Sequence, residues 1–373
     1  MSTTAPAPRS PGLWRLAWHR LLEDRIALAS MLIVALFLAL TAASALNWVA
    51  RDWNEEIAVG YAPPSLIGKK AGDDSAKPDA SIAKDLYPGR VRDPLAAEIA
   101  ELRGQPAPAA TPPAVKLELG DIQVIDPIAK EFAEALASAE ATTQQARAES
   151  LIFGADKWGH DVLKKLIKGS ETSILVGLCA ALVATLIGTL LGAVSGYFGG
   201  WIDDFCNWFY SIFTAIPYLL LILTIAAVLN QKGVTTIILI LGLTGWTGIF
   251  RLVRAEYIKH RSREYVQAAD AIGASNARRM FVHIFPNVSH ISLVQLSVHT
   301  VGFIKSEVIL SFLGFGVPVD KVSWGSMLGE AQNELILGYW WQLAAATAAM
   351  ALLVTAFSMF TDALRDALDP KIK

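Results

Sequence analysis

The chain has 373 residues, of which 53% are hydrophobic and only 18% are charged, whereas soluble domains carry about 25% charged residues. A single soluble globule is therefore not expected. The formal net charge of -2 gives no basic field that would attract nucleic acid, so DNA and RNA binding are not expected either. Two cysteines, Cys179 and Cys206, and six scattered histidines predict neither a disulfide bond nor a metal site.

The charged residues are concentrated in one part of the chain. More than half of them lie between residues 47 and 171, and six long windows elsewhere contain no Asp, Glu, Lys or Arg. A transmembrane helix needs about 20 predominantly apolar residues, so the windows predict an all-α polytopic membrane protein with six transmembrane helices. The windows are 26–50, 172–202, 205–231, 233–250, 280–304 and 335–361.

Basic residues predict how the chain crosses the membrane, because short basic segments stay in the cytoplasm. The predicted inner segments hold fourteen Lys and Arg residues, whereas the short outer loops hold only Lys232 and Lys321. Both termini are therefore predicted to be cytoplasmic. The first window alternatively resembles a signal peptide with an Ala43-Ser44-Ala45 cleavage site, although its apolar run exceeds the usual length of about 7–15 residues. The predicted parts are a cytoplasmic tail (1–25), the first helix (26–47), an exported insertion with an interfacial helix (48–168), a five-helix core (169–362) and a second cytoplasmic tail (363–373).

The exported insertion is rich in Ala, Pro and charged residues, and such a composition cannot build a large core. One helix is predicted between Pro127 and Ser150. The segment is either a docking surface for a soluble partner or a tolerated insertion. Near its end, apolar residues on one helical face beside three lysines predict a helix lying flat in the headgroup plane. These residues are Val162, Leu163, Leu166 and Ile167, with Lys164, Lys165 and Lys168.

The predicted cytoplasmic loop 251–286 combines a basic beginning with a short amphipathic helix. Its narrow face of Tyr265, Ala268, Ala269 and Ile272 follows helical spacing. Ser262 is predicted to cap this helix, Gly273 to end it in a left-handed conformation and Ser275 to cap a second helix, and Pro286 then redirects the chain. The result is a rigid knob that enters a cleft of a cytoplasmic partner, or alternatively a helix that rests on lipid headgroups.

Residues 264–287, EYVQAADAIGASNARRMFVHIFPN, resemble the coupling-loop signature of type I ABC importer permeases. Other fragments agree in order and spacing: GGWID (199–203), PYLL (217–220), GLTGW (242–246), RLVR (251–254) and SFLGFG (311–316). Together they resemble the C-type subunits of dipeptide/oligopeptide permeases over residues 151 to 370.

The resemblance implies the type I importer permease fold and a set of partners. These are a second permease subunit, two cytoplasmic ABC ATPase subunits and an exported solute-binding protein, in the inner membrane of a bacterium. It also implies an ATPase-coupling role for ten residues. They are Glu264, Tyr265, Gln267, Ala268, Ala269, Asp270, Gly273, Ala274, Arg278 and Pro286.

The chain departs from the family pattern at three places. Gln267 stands where the family motif usually has Glu, so an ion pair from that position is absent or replaced by a neutral hydrogen bond. His160 stands where such permeases often carry Arg. The exported insertion is much longer than in typical members, so the resemblance implies nothing about its role.

No phosphate-binding loop occurs in the sequence, since Gly68-Lys69-Lys70 lacks the required spacing. A nucleophile elbow is absent as well. The chain is therefore predicted to be a transport subunit rather than an enzyme, without a cofactor of its own. ATP and Mg are expected in the partner ATPase subunits, whose motion reaches this chain mechanically.

Some polar residues and glycines fall within or beside the predicted spans. Lys305 and Glu307 are costly in hydrocarbon unless paired or solvated, so one of them is expected to face the pathway or a partner helix, or to pin two subunits together. Glu307 is the first choice, because the family often carries Glu just before the SFLGFG stretch, and Lys305 is the other candidate. Asp203 is expected to be solvated, or else to contact a neighbouring subunit. The repeat Gly188, Gly192, Gly196 predicts close helix packing or, alternatively, helix movement during alternating access.

These observations predict the permease subunit of an ATP-driven importer, with di/oligopeptides as the solute implied by the resemblance. One alternative is a permease for another small solute, such as a nickel chelate. A second is a non-transporting membrane scaffold or sensor, which would show neither solute flux nor ATPase association. An intramembrane enzyme would need convergent titratable groups, and only Lys305 and Glu307 are available within the spans.

Overall fold

The computed structural model describes residues 13–65 and 147–368. These residues are almost entirely helical, so the predicted all-α class is confirmed for the described part of the chain. The helix predicted between residues 127 and 150 falls almost wholly outside the described residues. In chain order the helices are α1 Leu13–Glu23, α2 Arg25–Ala45, α3 Val162–Phe198, α4 Gly200–Ala215, α5 Tyr218–Leu229, α6 Val234–Thr244, α7 Thr247–Arg261, α8 Glu264–Ala271, α9 Asn276–Arg278, a π-helix Arg279–Ile284, α10 Phe285–Phe312, α11 Trp324–Ile336 and α12 Trp341–Leu368.

Five helical stretches in the described residues are long and apolar enough to cross a membrane: Arg25–Ala45, Val162–Phe198, Val234–Arg261, Asn276–Phe312 and Trp341–Leu368. The sixth predicted span is a broken one, because α4 and α5 form an apolar pair bent by 85°. Pro217 explains the break, since a proline restricts the preceding residue to extended backbone. Ile216 accordingly has φ -102° and ψ 133°.

The prediction of a separate interfacial helix near residues 162–168 is wrong. These residues form the first two turns of α3, which continues without interruption to Phe198. Asp161 caps the helix by accepting a 2.8 Å hydrogen bond from the backbone N–H of Leu163. Lys165 does not reach lipid headgroups, because it is buried and paired with Asp156 and Glu330.

The glycine repeat of α3 is a packing surface, as one of the two interpretations predicted. A Cβ atom on Gly188 would lie 2.7 Å from the carbonyl oxygen of Trp246, and one on Gly192 would lie 2.8 Å from that of Phe250. A Cβ atom on Gly196 would lie 2.5 Å from the carbonyl oxygen of Arg254. The glycines therefore let the backbone of α7 lie directly against α3.

The two ends of the helix bundle carry different structures. At one end lies the elbow, defined as residues 262–284, which follows α7 and leads into α10. At the other end lie the cap segments, residues 47–65 and 148–161. Trp341 at the start of α12 ties them to the bundle by donating a 2.7 Å hydrogen bond to the carbonyl oxygen of Ala155.

The cap segments, which flank the long insertion between α2 and α3, pair with each other. Ala58 and Ala148 form a parallel bridge, as do Pro64 and Leu151. The backbone N–H of Ser65 donates a 2.7 Å hydrogen bond to the carbonyl oxygen of Leu151. The chain therefore leaves and rejoins the bundle through two segments that are hydrogen-bonded side by side.

Candidate coupling elbow

The elbow is built from two short helical pieces joined at Gly273. This glycine has φ +80°, in the left-handed region that was predicted for it. Its N–H donates a 2.8 Å hydrogen bond to the carbonyl oxygen of Asp270, which closes the end of α8. Ser275 caps the next helix as predicted, because its hydroxyl accepts a 3.3 Å hydrogen bond from the N–H of Arg278.

The predicted cap at the start of α8 is wrong. Ser262 turns back toward α7 and donates a 3.1 Å hydrogen bond to the carbonyl oxygen of Lys259. Arg263 occupies the N-cap position and provides no side-chain hydrogen bond there. The acidic Glu264 in the first turn still complements the positive end of the helix dipole.

The buried face of α8 differs from the predicted narrow face. Val266 and Ala269 are buried and turn toward the rest of the elbow, so Ala269 belongs to the inner side. Ile272 is 83% exposed. Ala274 is half-buried. Seven of the ten predicted coupling residues are exposed on the outer side of the elbow: Glu264, Tyr265, Gln267, Ala268, Asp270, Gly273 and Arg278.

Pro286 does not redirect the chain as predicted. The stretch Asn276–Phe312 is one continuous candidate span, with a π-helix from Arg279 to Ile284 and the exposed Pro286 at the start of α10. A proline inside a helix lacks its N–H and clashes with the carbonyl four residues earlier. The wider π turn just before Pro286 accommodates this clash, so the second half of the elbow runs directly into α10.

Arg279 holds the two halves of the elbow together. Its Nη1 lies 2.5 Å from Oδ1 of Asp270 on α8, and its Nη2 donates a 2.5 Å hydrogen bond to Oδ1 of Asn276. The guanidinium also lies over the ring of Tyr197, 5.8 Å from the ring centroid. The Tyr197 hydroxyl donates to the same Asn276 oxygen over 3.1 Å, so the end of α3 is part of the arrangement.

The end of α7 contacts the elbow through two further side chains and the end of α3 through a third. The Tyr257 hydroxyl donates a 3.2 Å hydrogen bond to the carbonyl oxygen of Met280. His260 Nδ1 and the Tyr265 hydroxyl lie 2.7 Å apart, and burial raises the pKa of the Tyr265 phenol. Arg261 donates a 2.9 Å hydrogen bond to the carbonyl oxygen of Tyr197.

Asp203 forms an ion pair and hydrogen bonds within the subunit, so the prediction that it is solvated is wrong. Arg254 of α7 donates two hydrogen bonds of 2.6 Å to its two carboxylate oxygens. The hydroxyl of Ser195 on α3 donates to the same carboxylate, as does the amide of Asn207 over 3.0 Å. Two of the family-like fragments, GGWID and RLVR, therefore meet at this bidentate ion pair.

Glu307 lies inside the subunit. The hydroxyls of Ser173 and Ser311 each donate a 2.6 Å hydrogen bond to its carboxylate, and Ser173 also accepts a 3.2 Å hydrogen bond from the backbone N–H of Trp324. With 0% of its surface exposed, Glu307 cannot contact a pathway or a neighbouring subunit in this conformation. Lys305, by contrast, is exposed.

Several residues that hold the elbow were not predicted from the sequence. The prediction chose Arg278, which is exposed, whereas its neighbour Arg279 makes the contacts. The spacing of Asn276 and Arg279, one helical turn apart, is the signal that could have identified the second arginine. Tyr197 carries no comparable signal, because it lies 79 residues from Asn276.

The described residues contain no group of three or more His, Cys, Asp or Glu side chains arranged to hold a metal ion. What the elbow offers instead is a firmly held, solvent-facing surface. It can bind a macromolecular partner and pass a displacement of that partner to α3, α7 and α10.

Comparison with known proteins yields two family matches. Residues 188–373 match the family described as the inner membrane component of binding-protein-dependent transport systems. Residues 12–64 match the N-terminal transmembrane domain of oligopeptide transport permease C. The first match contains the elbow, the Asp203–Arg254 pair and Lys305, and neither match includes the long insertion.

Three curated proteins illustrate the similarity. The dipeptide transport system permease protein DppC of Bacillus subtilis is 36% identical over 59% of this chain and 69% of its own length. The oligopeptide transport system permease protein OppC of the same organism is also 36% identical, over 59% and 72%. The OppC protein of Salmonella typhimurium is 37% identical over the same two shares, 59% and 72%.

Proposed function

The chain belongs to the family of inner membrane components of binding-protein-dependent transport systems, and from that premise we propose that its elbow is the surface through which cytoplasmic ATPase subunits drive transport. The chain is a multi-pass inner membrane protein and a permease subunit for di/oligopeptides. Because the sequence has no phosphate-binding loop, hydrolysis of MgATP is assigned to the partner subunits.

One observation supports the proposal above all. The elbow exposes its outer side, and Arg279 ties its inner side to α8, α9 and the end of α3 at once. A partner that binds and displaces the outer side of α8 therefore moves three connected helices rather than a flexible loop. The connection to α10 through the π-helix extends the same rigid body across the predicted membrane.

The outer side of the elbow presents charges of both signs. Glu264 and Asp270 stand beside Arg263 and Arg278, so electrostatic attraction to a partner depends on local matching rather than on net charge. Gln267 donates a weak 3.4 Å hydrogen bond to the carbonyl oxygen of Ser262. In a complex this neutral amide replaces the ion pair that a Glu at the same position would make.

The orientation follows from the same proposal. The elbow end of the bundle lies in the cytoplasm with both chain termini, and the cap segments face the exported binding protein. A second permease subunit completes the translocation path. The segregation of Lys and Arg to the predicted inner segments supports this orientation.

The test is ATP hydrolysis by the complete complex in lipid, with and without loaded binding protein. Ala268 is exposed at the centre of the outer side of α8, so Ala268→Trp should leave the subunit folded and should abolish the stimulation of hydrolysis and peptide uptake. The matched control is Ala35→Trp, at an exposed position of α2 ten residues from the start of that helix. If Ala268→Trp keeps both stimulation and uptake, the elbow is not the coupling surface.

A further inference from the structure

A polar stripe runs along α10 within the predicted membrane region. Gln295, His299, Gly302 and Ser306 are separated by four, three and four residues, and this spacing places them on one face of the helix. Gln295, His299 and Gly302 are half-buried, and Ser306 is buried. A stripe of this kind is costly against lipid, so it must face protein or water.

The stripe faces the bend between α4 and α5 and the junction between α6 and α7. The side chain of Tyr218, the first residue of α5 after the 85° bend, lies near those of Ser306 and of Thr244 at the end of α6. A Cβ atom on Gly248, at the start of α7, would lie 3.7 Å from Nε2 of His299. Irregular backbone at membrane depth is tolerated where it is buried in protein or lines a water-filled cavity.

The surroundings of Gly302 distinguish between burial in protein and a water-filled cavity. A Cβ atom built on Gly302 would meet no other atom within 4 Å. By contrast, a Cβ atom on Gly177, which packs against the same helix, would lie 2.3 Å from the side chain of Ile304. The polar stripe therefore borders open space at Gly302, whereas the side of α10 that faces α3 is closed.

Lys305 stands at the edge of this open space. It is three residues from Gly302, one helical turn toward the cap end, and its side chain is exposed. Among residues 13–65 and 147–368 it makes no ion pair, whereas Lys164, Lys165 and Lys168 of α3 all do. The apolar Ile309 and Phe312 follow on the same side of α10 and are exposed.

We propose that the stripe Gln295, His299, Gly302 and Ser306 lines the translocation path, and that Lys305 binds the C-terminal carboxylate of a peptide in transit. The inference rests on the proposed function and names the substrate group that this face recognises. An ammonium group and a carboxylate form a charge-assisted hydrogen bond, which is stronger than one between neutral groups. A single such contact beside neutral hydroxyl and imidazole groups holds the peptide briefly and lets it leave, as conduction requires.

The experiment compares uptake of one peptide with a free C-terminal carboxylate and the same peptide with a C-terminal amide, by the complete complex in proteoliposomes. For each peptide, uptake by a variant is divided by uptake by the unaltered complex. Any preference of the binding protein for one peptide then cancels. The variants are Lys305→Gln, Lys305→Arg and, as a matched control, Lys321→Gln on the loop after α10.

We expect Lys305→Gln to reduce transport efficiency for the free-acid peptide about tenfold more than for the amide. Lys305→Arg should restore most of the difference, and Lys321→Gln should affect both peptides equally. Equal effects of Lys305→Gln on both peptides would mean that Lys305 pairs with a partner subunit. No effect on either peptide would place it toward lipid headgroups. Each of these two results overturns the carboxylate assignment while transport itself stands.

A second variant tests the path independently of charge. Gly302→Leu extends a side chain into the space where a Cβ atom meets nothing within 4 Å, so the complex should assemble and hydrolyse ATP while uptake of both peptides falls at least fivefold. Unchanged uptake would show that Gly302 and the stripe do not line the path. This result would overturn the proposal even if the Lys305→Gln complex failed to assemble. Absence of ATP-dependent uptake by the unaltered complex would refute the proposed function instead.

Discussion

Arg254 of α7 and Asp203 of α4 are joined by two hydrogen bonds of 2.6 Å each, in which the guanidinium faces the carboxylate edge to edge. The pair lies next to the contact between Gly196 of α3 and the backbone of Arg254. Three helices are therefore fixed at one point, close to where the chain turns from α3 into the broken span.

Breaking this ion pair should loosen the junction of the three helices. Asp203→Asn should lower the stability of the purified subunit by about 1–2 kcal/mol, because the pair is bidentate but only partly buried. Arg254→Gln should cost a similar amount, and the double variant should cost little more than either single one. Thermal unfolding in detergent measures all three. Strictly additive losses would show that the two residues act separately.

Arg279 and Arg278 are adjacent in sequence but differ in their contacts, which makes them a matched pair. Arg279→Gln removes the bond to Asp270 and the contact with the Tyr197 ring, so the elbow should become sensitive to chymotrypsin. Arg278 is exposed, and Arg278→Gln should leave the digestion pattern unchanged. Equal digestion of the two variants would mean that Arg279 does not hold the elbow.

A methyl group should have opposite effects at two glycines of the spanning helices. Gly192→Ala places a Cβ atom 2.8 Å from the carbonyl oxygen of Phe250 and should destabilise the subunit by about 1–3 kcal/mol through overpacking. Gly302→Ala meets nothing within 4 Å and should be neutral, or stabilising by about 0.5–1 kcal/mol through helix propensity. The midpoints of thermal unfolding of the two variants decide the matter.

Acid should weaken the cap end through Asp156. Burial alone would raise the pKa of this carboxyl, but the buried ammonium of Lys165 and the hydrogen bonds from His160 hold the pKa below its ordinary value of 3.8. A lowered pKa contributes stability that is fully present above pH 3.8 and is lost as the pH falls through the folded-state value. Asp156→Asn should therefore lower stability at neutral pH and flatten its dependence on pH in the acid range.

The measurement for Asp156 is the midpoint of thermal unfolding as a function of pH, and Asp52→Asn is the control. Asp52 also has a lowered pKa, caused by its hydrogen bond to Lys164, but its side chain is 41% exposed. Its contribution to the acid transition should consequently be small. A larger change for Asp52→Asn than for Asp156→Asn would contradict the role assigned to the buried pair.

The sequence correctly predicted several features of the structure that are set by residues close together in the chain. The apolar windows located the spans, Gly273 located a left-handed turn and Ser275 located a cap. Each of these depends on a residue and its near neighbours. The elbow was therefore found with its turn and one of its two caps correct.

Two of the errors concern residues whose partners are distant in the chain. Asp203 was expected to be solvated because its Arg254 partner lies 51 residues away. Lys165 was assigned to headgroups because Glu330, on α11, is invisible to local periodicity. Pro286 was expected to turn the chain, but a π-helix absorbs its clash, and no sequence rule places that wider turn.

The side-by-side pairing of the cap segments should make the length of the insertion between them independent of the helix bundle. The backbone of Ser65 is hydrogen-bonded to Leu151, and that of Val59 to Ala148. These contacts hold the two ends of the insertion together, so they offset the entropic cost of closing the loop between them. Residues 66–146 should be replaceable by a flexible tether of about six residues, which reaches about 20 Å, without altering helix assembly. The same site should accept a foreign domain, such as a fluorescent reporter.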